Sequence, residues 1–229
     1  MDFVYVAILA LTIFLVLYLG WRAVPMLVIA LAPRQIRAQF LDAADSDQII
    51  AAAPSIQAKL ADLQALEFNV LGILAERAWW RRPLLEVAAA SAEKSTFAAI
   101  VLTPSRKAAG VYFLTPLAGG GLVFTRSRSP LPQVETDNTS VKDVPGASVD
   151  KLWASHRRRL QALRERGRRP LPVGDQATRL AAVQAYYASD YARRARGLFL
   201  RSAPVINFLL TVVLLVSIVV IYIFRAPVR

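Results

Sequence analysis

Residues 204–224 read PVINFLLTVVLLVSIVVIYIF and contain no charged side chain. Arg201 precedes this stretch and Arg225 follows it. About twenty apolar residues, at a helical rise of ~1.5 Å each, are enough to cross a hydrocarbon layer ~30 Å thick. The stretch therefore predicts a membrane-spanning helix near the carboxyl terminus, followed by a short tail at residues 225–229.

A second apolar stretch, from Phe3 to Trp21, lies at the amino terminus. No positive charge of the kind that opens a secretory signal precedes it, and apolar residues continue at 25–32, beyond the usual length of such a signal. A retained anchor is therefore favoured, although Ala30-Leu31-Ala32 is similar to a cleavage site.

The end of this first span depends on Pro25, which removes a backbone donor and is expected to break or kink the helix. We place the first transmembrane helix at residues 1–22 and an interfacial segment with a linker at residues 23–53. The alternative is one long kinked helix that ends near Ala32.

The net charge of +12 is concentrated in one part of the sequence. Residues 1–150 contain 13 Lys/Arg and 13 Asp/Glu, whereas residues 151–229 contain 15 Lys/Arg and only 3 Asp/Glu. Such a basic block suggests contact with anionic lipid headgroups or with an acidic protein subunit. Nucleic acid is a less favoured partner, because the aromatic residues in the block are at helical spacing, which is typical of a core.

Basic residues also predict the orientation in the membrane. More of them flank the inner ends of the two apolar stretches than the outer ends, which predicts a cytoplasmic central domain and both termini on the opposite side of a bacterial inner membrane. The inner set is Arg22, Arg34, Arg37, Arg193, Arg194, Arg196 and Arg201, and the outer set is Arg225 and Arg229.

Residues 54–203 predict an α+β domain. Apolar residues at Ile56, Leu60 and Leu63 indicate one helix, after which segments rich in Val, Ile, Leu, Phe and Thr alternate with short turns. This pattern predicts a four- to five-stranded antiparallel meander, covered by helices on one face. The expected strands are 68–76, 84–91, 96–103, 110–116 and 121–128.

Two helices are expected after the meander. Residues 129–147 contain three prolines and predict a loop, and Ser148 then suits the N-cap of a basic amphipathic helix that ends at Gly167. Asp175 is expected to cap a last helix that runs to about Leu200.

No motif in the sequence indicates catalysis, a metal or a cofactor. Cysteine is absent, and His156 is the one histidine, so thiolate and multi-histidine metal sites are excluded. The glycine cluster at 119–121 leads into a predicted strand and reads as a hairpin turn rather than a phosphate loop. We interpret His156 as a packed or hydrogen-bonded core residue, and Glu76, Glu86 and Glu93 as solvated charges at strand ends.

Two groups of residues are candidates for contact. Arginines of the last two helices are the candidates for contact with the membrane surface or a partner: Arg157, Arg158, Arg164, Arg193, Arg194, Arg196 and Arg201. Asn207 and Thr211, one turn apart in the second span, are the candidates for contact within the membrane, either with Thr12 of the first span or with another subunit.

The function predicted from these observations is that of a non-enzymatic, membrane-anchored accessory or scaffold subunit of a larger membrane protein complex. The alternative is a membrane-tethered sensor or a ligand- or lipid-binding module, for which the meander would form a pocket. A third possibility is an enzyme of lipids or the cell envelope, which would require buried carboxylates around His156.

Overall fold

The structure is a computed structural model that describes residues 3–31, 36–77, 83–127 and 133–225. Two compact units divide the chain, one formed by residues 1–33 and 193–229 and the other by residues 34–192. Residues 226–229 of the predicted tail and Arg34 of the charge pattern lie outside the described residues.

The first unit contains helix α1 (Phe3–Leu31) and helix α7 (Ala203–Arg225). Within them, Val6–Val24 and Ala203–Ile221 are long and apolar enough to cross a membrane. The two helices pack together closely, since a Cβ atom added to Gly20 would lie 3.1 Å from the ring of Phe208. Many of their large apolar side chains are exposed, as expected of helices that have lipid as their solvent.

Helix α1 continues through Pro25 without a break, which corresponds to the alternative of one long helix. A proline removes only one hydrogen-bond donor from the helix, and the apolar sequence on both sides of Pro25 favours the same helical state.

The second unit is built on one mixed sheet of eight strands. The strands are β1 (Arg37–Phe40), β2 (Phe68–Arg77), β3 (Leu84–Ser91), β4 (Phe97–Leu102), β5 (Ala108–Pro116), β6 (Leu122–Arg126), β7 (Val134–Glu135) and β8 (Thr139–Asp143). Their order in the sheet is β1-β2-β3-β4-β5-β6-β8-β7. Neighbouring strands are antiparallel except β6 and β8, which are parallel.

The predicted meander corresponds to β2–β6, but the prediction of a four- to five-stranded, purely antiparallel sheet is wrong. Strand β8 lies in the segment 129–147 that was expected to be a loop. It has only five residues, of which four are polar or charged. Its parallel partner β6 comes earlier in the chain, and the segment that connects the two strands includes β7. Local alternation and turn chemistry do not signal a pairing of this kind.

Five further helices accompany the sheet. They are α2 (Ala43–Ala51), α3 (Pro54–Ala65), α4 (Val149–Glu165), α5 (Gln176–Ala188) and α6 (Asp190–Leu200), the last of which extends into the first unit. The predicted caps are confirmed: Ser148 accepts a hydrogen bond from the Lys151 amide, and Asp175 forms a capping box with Thr178.

The single last helix that we expected from Asp175 to Leu200 is instead divided at Ser189. Ser189 has an extended backbone, with ψ of 155°. Its hydroxyl donates to the Tyr186 carbonyl at 2.6 Å and accepts from the Ala192 amide at 3.2 Å. One side chain therefore satisfies a backbone group at the end of α5 and another at the start of α6.

Helices cover both faces of the sheet, rather than the one face expected. On one face, α2, α3 and α4 pack on Phe68, Val87, Ile100 and Phe113. On the other face, α5 packs through Val183 on Leu74 and Ala88. Side chains of these helices therefore pack on both faces of the strands.

The turn before β6 yields a stability test. Gly120 and Gly121 both have positive φ, of 85° and 91°, but a Cβ atom has open space at Gly120 and would collide with the Asn138 carbonyl at Gly121. We expect Gly120→Ala to cost about 1–2 kcal/mol from backbone strain alone. Gly121→Ala should cost clearly more, because the Leu122 amide donates to the same carbonyl at 3.1 Å. Equal losses in denaturant unfolding would contradict this account of the β6–β8 junction.

Candidate functional site

Helix α4 has two chemically different sides, and the candidate site lies on and beneath it. Its buried positions follow the helical spacing of three and four residues and face the sheet. They are Val149, Leu152, His156, Leu160 and Leu163. The predicted contact residues Arg157, Arg158 and Arg164 of the same helix are exposed. The helix thus anchors itself through one side and presents guanidinium groups on the other.

His156 lies on the side of α4 that faces the sheet, where it is fully buried and hydrogen-bonded at both ring nitrogens. Its Nε2 lies 2.9 Å from Thr115 Oγ1, and its Nδ1 lies 2.9 Å from Thr125 Oγ1. The Trp153 ring stacks on the imidazole at a centroid distance of 5.6 Å and an angle of 15°. The interpretation of His156 as a packed, hydrogen-bonded core residue is confirmed.

The donors and acceptors around His156 determine its tautomer. Arg159 Nη2 donates to Thr125 Oγ1 at 2.7 Å, and a guanidinium can only donate. The Thr125 proton is then free to point at Nδ1, so that Nε2 carries the imidazole proton and donates to Thr115. If Nδ1 carried the proton instead, Thr125 Oγ1 would accept two hydrogen bonds, one from Arg159 and one from His156. The hydroxyl proton of Thr125 would then have no acceptor among the described residues.

The surroundings of His156 keep its imidazole from gaining a proton at neutral pH. Burial lowers the pKa of His156 to about 3, and the neighbouring charge of Arg159 acts in the same direction. Its hydrogen-bond partners are threonine hydroxyls, whereas a catalytic histidine is normally oriented by a carboxylate. The imidazole is therefore neutral at neutral pH and acts as a structural element between α4 and the sheet.

A groove of about 410 Å³ runs beside α4. One wall is the helix, and the other is the turn between β3 and β4. The groove is lined by Glu93, Ser95, Trp153, Ala154, Arg157, Arg158, Leu160, Gln161 and Arg164. The structure thus brings together the three arginines that the sequence singled out on this helix.

The β3–β4 turn at the groove is held firmly. Ser91 Oγ accepts hydrogen bonds from the backbone amides of Ser95 at 3.2 Å and Thr96 at 3.1 Å. Thr96 Oγ1 in turn lies 2.7 Å from Thr115 Oγ1, the hydroxyl that contacts His156. The groove wall and the buried histidine therefore belong to one hydrogen-bonded network.

The other predicted contact arginines lie elsewhere in the chain. Arg193 and Arg194 are exposed on α6, and Arg201 is exposed between α6 and α7. The side chain of Arg196 lies outside the described residues.

The polar residues of α7 behave differently from one another. Thr211 donates to the Asn207 backbone carbonyl at 2.8 Å, and Ser217 donates to the Val213 carbonyl at 2.9 Å. Thr12 of α1 donates to its own helix, to the Ile8 carbonyl at 2.8 Å, and so does not pair with α7. The Asn207 side chain is exposed, and its amide has no hydrogen bond to any described residue.

A buried ion pair on the opposite face of the sheet was not foreseen from the sequence. Arg179 of α5 and Glu86 of β3 are each 1% exposed and form a salt bridge, and Arg179 also donates to the Tyr112 hydroxyl. Tyr112 donates to the second oxygen of Glu86 at 2.5 Å. The expectation that Glu76 and Glu86 are solvated is wrong, since both are buried, and Glu76 accepts from Tyr187 at 2.7 Å.

Aromatic rings complete the surroundings of Arg179. Its Cζ lies 5.3 Å from the centroid of Phe97 and 5.6 Å from that of Tyr112, within cation–π distance. Burial alone would lower the pKa of Arg179, but the Glu86 carboxylate raises it above its ordinary value. Burial raises the pKa of Tyr112. The pair is therefore charged, and Tyr112 is a neutral donor beside it.

A second ion pair joins the far end of the sheet to α6. Arg126 of β6 donates to Asp143 of β8 at 2.7 Å and to the Tyr191 hydroxyl at 3.1 Å. Because β6 and β8 are the parallel pair, this contact reinforces the junction that the sequence pattern did not reveal.

Within the described residues, no group of three His, Cys, Asp or Glu side chains is placed to hold a metal ion. No known protein family, curated protein or solved structure matches this chain. The described residues define an α+β protein with two terminal helices long and apolar enough to cross a membrane.

The neutral state of His156 gives a pH test. The folded-state pKa of about 3 lies below the ordinary 6.5, so the unfolded chain binds a proton first as pH falls. The free energy of unfolding should therefore drop as pH falls from 6.5 toward 3, by about 2 kcal/mol at about pH 5 relative to about pH 8.

The matched variant is His156→Gln, whose amide can bond both threonines but does not titrate. Denaturant unfolding of the protein in detergent micelles should show a shallower pH dependence for this variant over that range. An unchanged slope would show that other groups cause the loss.

The Glu86–Arg179 pair gives a stability test. Arg179→Met leaves a buried carboxylate without its cation and should lower the free energy of unfolding by about 3–5 kcal/mol. The double variant Glu86→Leu/Arg179→Met should lose less, because neither charge remains. Lys59→Met breaks an exposed pair with Asp62 and should cost below about 1 kcal/mol. A double variant at least as damaged as Arg179→Met would contradict the assignment.

Proposed function

We propose that this chain is a non-enzymatic, membrane-anchored accessory or scaffold subunit of a larger membrane protein complex. The observation that carries the proposal is the exposed, unbonded Asn207 amide on a helix long and apolar enough to cross a membrane. Together with the exposed arginines and the structural role of His156, it favours contact over catalysis.

The argument from Asn207 rests on solvation. An amide offers two donors and an acceptor, and hydrocarbon satisfies none of them. Thr211 and Ser217 already donate hydrogen bonds to backbone carbonyls of α7, so their hydroxyl donors are satisfied within the helix. Asn207 lies four residues after the start of α7, about 6 Å along the axis. Its free amide is best satisfied by a polar group on a helix of another subunit.

The exposed arginines next to α7 support membrane attachment. Arg193, Arg194 and Arg201 lie within eleven residues of its first residue in the chain. Near an anionic headgroup layer, each contributes about 1 kcal/mol of attraction. We assign this layer to the cytoplasmic side of a bacterial inner membrane, with residues 34–192 on that side and both termini opposite, from the charge asymmetry of the flanks.

A second function, that of a membrane-tethered sensor or ligand-binding module, is favoured by the groove beside α4. Its volume of about 410 Å³ falls within the range of small-molecule sites, about 300–1,000 Å³. This module would use the outer wall of α4 rather than a pocket inside the meander.

Gentle detergent extraction of the full-length protein, followed by size analysis and mass spectrometry, tests the scaffold proposal. The wild-type protein should migrate with other membrane subunits in fixed stoichiometry. Asn207→Leu should weaken that association by roughly three- to thirty-fold, which corresponds to an interhelical hydrogen bond of about 0.6–2 kcal/mol.

Thr211→Val is the matched control and should leave the association unchanged, because its hydroxyl bonds only within α7. Leucine makes the helix more apolar, so failure to insert would not explain a loss. Isolation of the wild-type protein alone would reject the scaffold function, and full retention by Asn207→Leu would reject the role of Asn207.

A further inference from the structure

We propose that the groove between α4 and the β3–β4 turn is a binding site for a ligand that carries phosphate. This site goes beyond the scaffold function, because it requires no partner subunit and lies entirely within residues 34–192. It rests on the second proposed function, that of a ligand-binding module, and names the chemical class of the ligand. The proposal follows from the charge of the groove, its shape and the rigidity of one wall.

The charge of the groove matches a phosphate dianion. Arg157, Arg158 and Arg164 supply three positive charges, and Glu93 supplies one negative charge. None of the three guanidinium groups forms an ion pair or hydrogen bond with a described residue. The groove therefore has an excess of two positive charges, carried by side chains whose forked geometry suits phosphate oxygens.

The groove has room for a compact ligand. Trp153, Ala154 and Leu160 give it an apolar floor, and Trp153 is fixed there by stacking on His156. Arg157 and Arg164 are seven residues apart, or about 10 Å along α4. The groove can thus accommodate two anionic groups of one molecule.

The β3–β4 turn supplies a preorganised hydroxyl. Ser95 is 8% exposed, and its Oγ has one contact within the described residues, to Thr96 Oγ1 at 3.5 Å. That distance is long for a hydroxyl pair, so the Ser95 proton remains available to a ligand oxygen. The turn is fixed by Ser91 Oγ and by the Val173 amide, which donates to the Lys94 carbonyl at 2.9 Å. Little conformational entropy is lost when such a wall binds a ligand.

Calorimetric titration of the full-length protein in detergent micelles with inorganic pyrophosphate tests the site. The wild-type protein should bind saturably. Arg157→Gln/Arg164→Gln should raise the dissociation constant at least about tenfold, as expected when charge-assisted hydrogen bonds are removed. Ser95→Ala should raise it roughly threefold to tenfold, because one neutral donor is lost.

Arg166→Gln/Arg169→Gln is the matched control. It removes the same charge from exposed positions of the same segment that do not line the groove. Its dissociation constant should change less than about twofold, the effect expected of distant screened charges. An equal loss in the control, or the absence of saturable binding by the wild-type protein, would overturn the proposal.

Competition identifies the source of the phosphate. Pyrophosphate binding is measured with the protein in phosphatidylcholine bilayers, with and without phosphatidylglycerol. If phosphatidylglycerol displaces pyrophosphate and phosphatidylcholine alone does not, the site binds lipid headgroups. Unchanged binding in both bilayers would assign it to a soluble phosphorylated molecule. If a polyglutamate peptide binds and pyrophosphate does not, the groove is a protein-docking surface and the phosphate assignment is wrong.

Discussion

The burial of a full charge pair between α5 and the sheet is the constraint on which the second unit depends. Two ions taken out of water are costly unless they pair with each other and gain further contacts. Glu86 accepts hydrogen bonds from Arg179 and Tyr112, whereas Arg179 donates through Nη2 alone. Its buried Nε and Nη1 have no hydrogen-bond partner among the described residues, and the Phe97 and Tyr112 rings lie against the guanidinium instead. This requirement fixes the position of α5 along β3 and β5 more strictly than the apolar contacts of Val183 could, since apolar contacts have no direction.

Polar side chains are buried on both faces of the sheet, but their chemistry differs between the two faces. Under α5 the polar groups are charged and paired, whereas under α4 they are neutral, with His156 between two threonines. Because the polar groups under α4 are neutral, no buried carboxylate there pairs with the arginines of α4. Among the described contacts, only Arg159 of this helix donates a hydrogen bond into the core, to Thr125. The same helix can therefore hold the sheet through its buried side while its outer guanidinium groups remain available for ligands or partners.

Local signals in the sequence were sufficient for the presence of the two terminal helices, for strands β2–β6 and for the N-caps of α4 and α5, because hydrophobic period and turn residues act over a few positions. They were insufficient for the end of α1, which continues through Pro25 to Leu31. Local signals did not predict β8, because its parallel pairing with β6 is a tertiary contact. Nor did they predict the break between α5 and α6 at Ser189, which depends on the hydrogen bonds of one hydroxyl. The arginines of α4 were identified by charge, but their assembly into a groove with Ser95 required the fold. The sequence does contain a signal for the buried pair, because each member is a charge within an otherwise apolar stripe. Glu86 is at even spacing from Ala88 on a strand, and Arg179 is at helical spacing from Val183.

The distance between the members of the buried pair also has a consequence during synthesis. Glu86 and Arg179 are 93 residues apart in the chain. At ribosomal speeds of about 5–20 residues per second, the carboxylate is exposed to water for roughly 5–19 s before its cation is made. Once β4 and β6 have been made, the face of the sheet that bears Phe97 and Phe124 stays uncovered until α5 follows. Completion of this domain is therefore a late event that needs α5 to leave the ribosome first.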